Sequence, residues 1–208
     1  MKKVVLSLIA IILLCGIGYF VYSKINKDKP NEVIQSPTYN EVKKVNIDGE
    51  DYIVGLKKYG KNYQFDKIPA EGTGAIELYL NNEKIKTITY KVDSVDPGDV
   101  KINIEPYKFS KNYILVSITY SDGIKICYKD FYVFNLKGEF IGDATWDGKY
   151  GIKELSTGKT LTYEINDDNL IIYNANTLTK VRYTIKDNEL FKETIKTYNE
   201  NEIELINK

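Results

Sequence analysis

The chain has 208 residues, balances 29 Lys and Arg against 29 Asp and Glu, and contains no histidine. Without a basic excess there is no electrostatic footprint for nucleic acid; without histidine the usual nucleophile–base triads and the commonest metal ligand are missing. Of the two cysteines, Cys15 lies inside an apolar run, which leaves only Cys127 for a folded domain and rules out a disulfide within it.

The first element is that apolar run, residues 4–22, VVLSLIAIILLCGIGYFVY, which carries no charge. Its length at about 1.5 Å per residue gives roughly 28 Å of helix, matching the hydrocarbon core of a bilayer. Lys2 and Lys3 precede it, Lys24, Lys27 and Lys29 follow it, and Tyr19 and Tyr22 stand where an interfacial aromatic belt would lie. A cleaved signal peptide has a shorter core and a small-x-small site, and none follows Tyr22. A lipoprotein signal would put the lipid on Cys15, but Leu14 occupies the position where such signals carry a small residue. The run therefore reads as an uncleaved anchor. Short tails stay inside and long domains translocate largely regardless of charge. The expected layout is a cytoplasmic tail (1–3), a single-pass transmembrane helix (4–22), a linker with Pro30 and Pro37 (23–38), and an extracytoplasmic domain (39–208).

From residue 39 the apolar pattern has period two, the signature of half-buried strands. Strands are expected at 41–47, 52–56, 63–68, 75–80 and 85–92, with Asn81-Asn82 as a hairpin turn. Residues 101–105 alternate and Pro106 is expected to end them. The segment YILVSITY, 113–120, is the most hydrophobic outside the anchor and reads as a central strand, followed by a strand at 124–128. A three-residue loop with a left-handed Gly123 would place Val116, Ile118 and Tyr120 opposite Tyr128, Ile126 and Ile124, keeping one face apolar. The same logic at Leu136-Lys137-Gly138 pairs Phe134 with Phe140. Further strands are expected at 131–135, 140–144, 160–165, 170–174 and 179–185. In 189–198, Phe191, Ile195 and Tyr198 have helical spacing, but the β-rich composition reads as strand. The segments ELYLNNEKIKTITY, FYVFNLKGEFIGDAT and LIIYNANTLTKVRYT echo one another as strand, turn and strand.

Candidate chemistry is sparse. The loop DSVDPGD (93–99) gathers three aspartates, as calcium loops do, but lacks the alternating ligands and terminal glutamate of an EF-hand, and Asp and Pro-Gly are ordinary turn formers. The cluster at 166–169 reads the same way. Cys127 between Lys125 and Lys129 is expected on a polar face as a passive thiol. Trp146 could stack a sugar together with Tyr150, against the commoner role of a lone tryptophan as a core plug. With 18 tyrosines, exposed aromatics are expected somewhere. The abundance of Lys, Ile, Asn and Tyr fits the codon usage of an AT-rich bacterial genome.

The expected fold is therefore an all-β antiparallel meander of hairpins forming a sandwich or barrel, with a small propeller-like arrangement as the alternative. The expected function is that of a membrane-anchored bacterial cell-envelope protein whose non-catalytic β domain binds a protein or cell-wall polymer, with no cofactor, metal or nucleic acid. The alternative is an envelope enzyme using carboxylates alone, such as a glycoside hydrolase.

Overall fold

The structure, a computed structural model, describes residues 38–59, 74–91, 99–148 and 150–207. The expected membrane helix, the linker up to residue 37, the strand at 63–68 and all of DSVDPGD except Asp99 lie outside the described residues. Those residues form an all-β antiparallel fold of four sheets, without a helix and without a closed barrel.

The first two sheets are four-stranded meanders in chain order. One contains β1 (Glu41–Ile47), β2 (Glu50–Tyr59), β3 (Gly74–Leu80) and β4 (Glu83–Tyr90). The next contains β5 (Lys101–Phe109), β6 (Tyr113–Ser121), β7 (Ile126–Asn135) and β8 (Phe140–Asp147). The chain then forms β9 (Tyr150–Glu154), β10 (Thr160–Leu161), β11 (Tyr163–Asn166), β12 (Asn169–Asn174), β13 (Thr179–Lys186), β14 (Glu189–Thr197) and β15 (Ile203–Asn207). Strands β11 to β14 make a third meander; β10, β9 and β15 make a small sheet in that order.

Period-two alternation sends the side chains of β6 to two different cores. Ile114, Val116, Ile118 and Tyr120 join Val54, Leu56, Ile76, Leu78 and Ile88 of the first meander. Leu115, on the other face, joins Phe109, Phe131, Val133, Ala144 and Trp146, packed against Leu170 and Ile172 of the third meander. A strand buried on both faces loses alternation and reads as a continuous apolar run, which is why 113–120 stood out in the sequence. A third cluster, Ile152, Leu161, Tyr173, Ala175, Tyr198 and Ile203, joins the small sheet to the third meander.

Several expected turns are present. Asn81 and Asn82 both have positive φ, 49° and 72°, as a two-residue hairpin turn of the primed type requires. The loop Leu136-Lys137-Gly138 pairs Phe134 with Phe140, and Gly138 has φ of 85°. Residues 189–197 are strand, as expected.

Other expectations are corrected. The expected strands 124–128 and 131–135 are one strand, β7, and the register of β6 on β7 is four residues away from the one that matches apolar residues. Tyr120 faces Tyr128, Ile118 faces Asp130 and Val116 faces Tyr132. An even shift keeps the same faces while changing what stands opposite. The loop closes on side-chain bonds: Asp122 Oδ1 accepts from the amides of Ile124 (2.8 Å) and Lys125 (2.9 Å), and the Gly123 amide donates to Ser121 Oγ. Gly123 has the expected positive φ, 90°, but in a longer loop whose Ile124 is 95% exposed. Pro106 does not end its strand: it pairs with Val116 inside β5, and β5 is an edge strand, where a missing N–H is tolerated. The expected strand 160–165 is split between two sheets, as β10 and β11. The three echoing segments are each a strand, a turn and a strand, as expected, but stand at different places in their sheets. Two are β3–β4 and β7–β8, the closing pairs of their meanders, whereas the third is β12–β13, an inner pair.

Candidate functional site

Strands β7 and β8 share a face built from two short period-two patterns. β7 contributes Tyr128, Asp130 and Tyr132; β8 contributes Asp147, Thr145 and Asp143 directly opposite them. Directly opposed residues share a face, and diagonal neighbours lie about 7–8 Å apart. Asp130 is therefore diagonal to both Asp143 and Asp147. β8 is an edge strand, and its Asp143, Thr145 and Asp147 are exposed while Asp130 is half-buried.

Asp130 is held from two sides. Thr145 Oγ1 donates to Oδ1 at 2.6 Å, and the Tyr132 hydroxyl donates to Oδ2 at 3.3 Å. Burial raises its carboxyl above the usual aspartate range; these two bonds offset part of the rise, and the Asp143 charge adds to it. On β6, Tyr120 stands opposite Tyr128, stacks on it with 4.3 Å between ring centres, and is fully buried. Its hydroxyl points towards Asp130 but stops short of a well-formed hydrogen bond and has no other partner among the described residues. Lys86 on β4 lies over Phe140, 3.3 Å from the ring centre, and 5.5 Å from that of Tyr132. Asn176 approaches Asp147 from the third meander at 3.4 Å. The arrangement can accept hydrogen bonds and positive charge along a strip. Its carboxylates do not converge: among the described residues no group of three or more His, Cys, Asp or Glu is placed to hold a metal ion.

Two further polar clusters are embedded in the fold. Glu77 on β3, 6% exposed, accepts from the hydroxyls of Tyr79 (2.7 Å) and Tyr59 (2.8 Å) and from Lys84 (3.2 Å). Burial pushes its carboxyl up, but these donors outweigh burial and hold it at about 2. Lys129, 4% exposed, points into the other core, donates to the Tyr163 hydroxyl at 2.9 Å and lies 3.8 Å from Glu105.

The residues singled out in the sequence fall elsewhere. Trp146 is 3% exposed in the second core against Tyr163, with ring centres 5.6 Å apart, so it is a plug and not a sugar platform. Cys127 is not on a polar face. Tyr120 pairs with Tyr128 and Ser121 with Ile126, so Cys127 is the extra residue of a bulge and packs against the first core. Asp167 and Asp168 form the β11–β12 turn. Among the described residues no tyrosine is fully exposed. Instead, the sequence Glu/Asp-x-Tyr occurs at Glu50-Tyr52, Glu77-Tyr79, Glu105-Tyr107 and Asp130-Tyr132, and in all four the phenol donates to the carboxylate two residues before it. That spacing puts both side chains on one strand face; the sequence reading missed it, and it is the signal that would have pointed to Asp130.

Comparison with family models, curated proteins and solved structures finds no match for this chain.

Proposed function

We propose that this chain is a membrane-anchored cell-envelope protein, held by residues 4–22, whose extracytoplasmic β domain is a non-catalytic module that binds a protein or cell-wall polymer. The observation that carries the reading is the exposed row Asp143, Thr145 and Asp147 on the edge strand β8, beside the buried or half-buried Tyr128, Asp130 and Tyr132 of β7. Such a surface offers hydrogen-bond acceptors along an extended line, which suits a chain-like ligand better than a small molecule. We read the stacked meanders as a sandwich-like series, with the propeller-like arrangement as the alternative; either leaves this strip at an edge.

Two measurements test the reading. Protease added to intact cells should degrade the domain; protection in cells with cleavage in lysates overturns the orientation. The full-length chain in non-ionic detergent should sediment with purified cell walls or retain a wall-associated protein. Loss of the observed interaction on Asp143→Asn/Asp147→Asn would map it to this strip, and the absence of both interactions in the parent chain overturns the module.

A second reading rests on the same pair of strands. Asp130, with a raised carboxyl pKa, and Asp143, diagonal to it, have the unequal environments of an acid and a base in carboxylate-only hydrolysis. Release of reducing ends from cell-wall glycan, abolished by Asp143→Asn, would favour this enzyme over the module.

A further inference from the structure

We propose that the loop between β6 and β7 dips into the lipid surface of the membrane, with Ile124 as its apolar tip and Lys101 and Lys125 beside it at the level of the headgroups. The inference rests on the reading of residues 4–22 as an anchor and adds a second membrane contact, made by the folded domain itself.

Ile124 is 95% exposed, whereas the next most exposed large apolar residue among the described residues, Leu205, is 52% exposed. Ile126, two positions on in the same loop, is also exposed. At that exposure Ile124 adds almost nothing to a core, so folding gives no reason for an isoleucine there. The loop holds it outward: Asp122 Oδ1 accepts from the amides of Ile124 and Lys125, and Ser121 Oγ accepts from that of Gly123. A tip fixed in this way loses little conformational freedom when it is buried.

The loop lies at the end of the domain where the chain enters. The Asn40 amide donates to the Leu56 carbonyl, and Asn40 Oδ1 accepts from the Lys58 amide. The Lys58 ammonium reaches the carbonyl of Val100, next to Lys101, and Lys101 pairs with Ser121 at the base of the loop. The turns at Asn81-Asn82 and Leu136-Lys137-Gly138 are at the opposite ends of their strands. The linker, 23–38, spans at most about 55 Å when extended, so the anchor keeps the entry end, before any other, within reach of the bilayer.

Lys125 is exposed, and Lys101 runs along the loop: a methyl group on Gly123 would meet its ammonium at 3.5 Å. An apolar tip backed by lysines matches a bilayer surface, where acyl chains lie beneath anionic headgroups. Asp122 is turned onto the loop amides, but Asp99 and Asp147 are exposed at this end, so the contact is apolar insertion before it is charge attraction. One isoleucine buries too little area to hold a free domain on a membrane. On a tethered domain it has only to fix the orientation, because the anchor already supplies a high local concentration.

The test uses the full-length chain in vesicles of phosphatidylcholine and phosphatidylglycerol. After a high-salt wash the chain should float with the vesicles; a chain that does not float overturns the anchor and this inference together. In the floated vesicles, lipids brominated on their acyl chains should quench Ile124→Trp at least twice as strongly as the parent, whose one tryptophan, Trp146, is buried. Phe140→Trp, at an exposed position at the opposite end, should be quenched no more than the parent. The native isoleucine is tested by amine acetylation read by mass spectrometry: in vesicles Lys125 should react several-fold faster in Ile124→Ser than in the parent. Neither substitution at this exposed position should change the denaturation midpoint. Ile124→Trp quenched no more than Phe140→Trp, or Lys125 equally reactive in Ile124→Ser and the parent, overturns the inference and leaves the anchor standing.

Discussion

Ile118, fully buried, stands directly opposite Asp130 across β6 and β7. A carboxylate facing a core isoleucine is unfavourable unless it is bonded, and Asp130 is bonded by Thr145 on the strand away from Ile118 and by Tyr132 on its own strand. The pairing lets Tyr120 stack on Tyr128 and leaves the loop residue Ile124 in solvent. Aromatic stacking together with an Asp-capped loop outweighs the aliphatic match that would have placed Ile126 there.

Asp130→Asn should stabilise the domain at neutral pH. The folded-state pKa of Asp130 lies above its unfolded value, so its contribution to stability is fully present below the unfolded pKa and is lost as pH rises through the folded one. Asparagine keeps an acceptor for Thr145 and removes the buried charge. Denaturation midpoints of variant and parent should converge in acid and separate in the variant's favour at pH 7; a variant less stable at pH 7 contradicts the burial described for Asp130.

Glu77 gives the opposite sign. Its folded pKa, about 2, lies below the ordinary 4.5, so it contributes stability above pH 4.5 that is lost as pH falls towards 2. Glu77→Gln should cost about 2–3 kcal/mol at pH 7 and flatten the acid limb of the stability profile. An acid limb of unchanged slope in the variant would show that Tyr59, Tyr79 and Lys84 do not hold this carboxylate.

The strands and their turns were legible in the sequence because period two and turn chemistry are local. Asn81-Asn82 and Leu136-Lys137-Gly138 carry their own backbone requirements. Register is not local: the pairings of Ile118 with Ile126 and with Asp130 put the same residues on the same faces, and only long-range packing separates them. The strip shares that limit. Residues 128–132, YKDFY, and 143–147, DATWD, are each visible as alternating patterns, but they become one face only once Tyr132 is known to oppose Asp143. The split of 160–165 into two sheets has no marker in its own residues.

Lys129→Met should be close to neutral in stability or stabilising. The lysine stem fills space in the second core, and methionine replaces that stem without the buried charge. Its acidic partner Glu105 has a side chain 57% exposed and can rehydrate. Lys129→Ala, which empties the same space, should cost about 2–4 kcal/mol. Equal losses in the two variants would mean that the charge, and not the packing, matters here.

Gly138 and Gly123 separate backbone strain from crowding. Both close β-hairpin loops with φ near +90°, a region that costs a non-glycine residue about 1 kcal/mol or more. At Gly123 a methyl group would meet nothing nearer than the flexible Lys101 side chain at 3.5 Å; at Gly138 it would lie 2.6 Å from Ile85 Cγ2, on the strand that borders the first core. Gly123→Ala should therefore show the conformational cost alone, about 1 kcal/mol, and Gly123→Asn less, because asparagine tolerates this region better. Gly138→Ala should cost the same strain plus the displacement of Ile85, about 2–3 kcal/mol in all. Combining Gly138→Ala with Ile85→Ala should recover the crowding part, so the double variant should lose less than the sum of the single ones. Chemical denaturation of the five variants, the Ile85→Ala single among them, ranks them directly. If Gly123→Ala costs as much as Gly138→Ala, or if the Ile85 substitution gives strict additivity, the contact between the β7–β8 loop and β4 is not the one described, and with it falls the seating of Lys86 over Phe140.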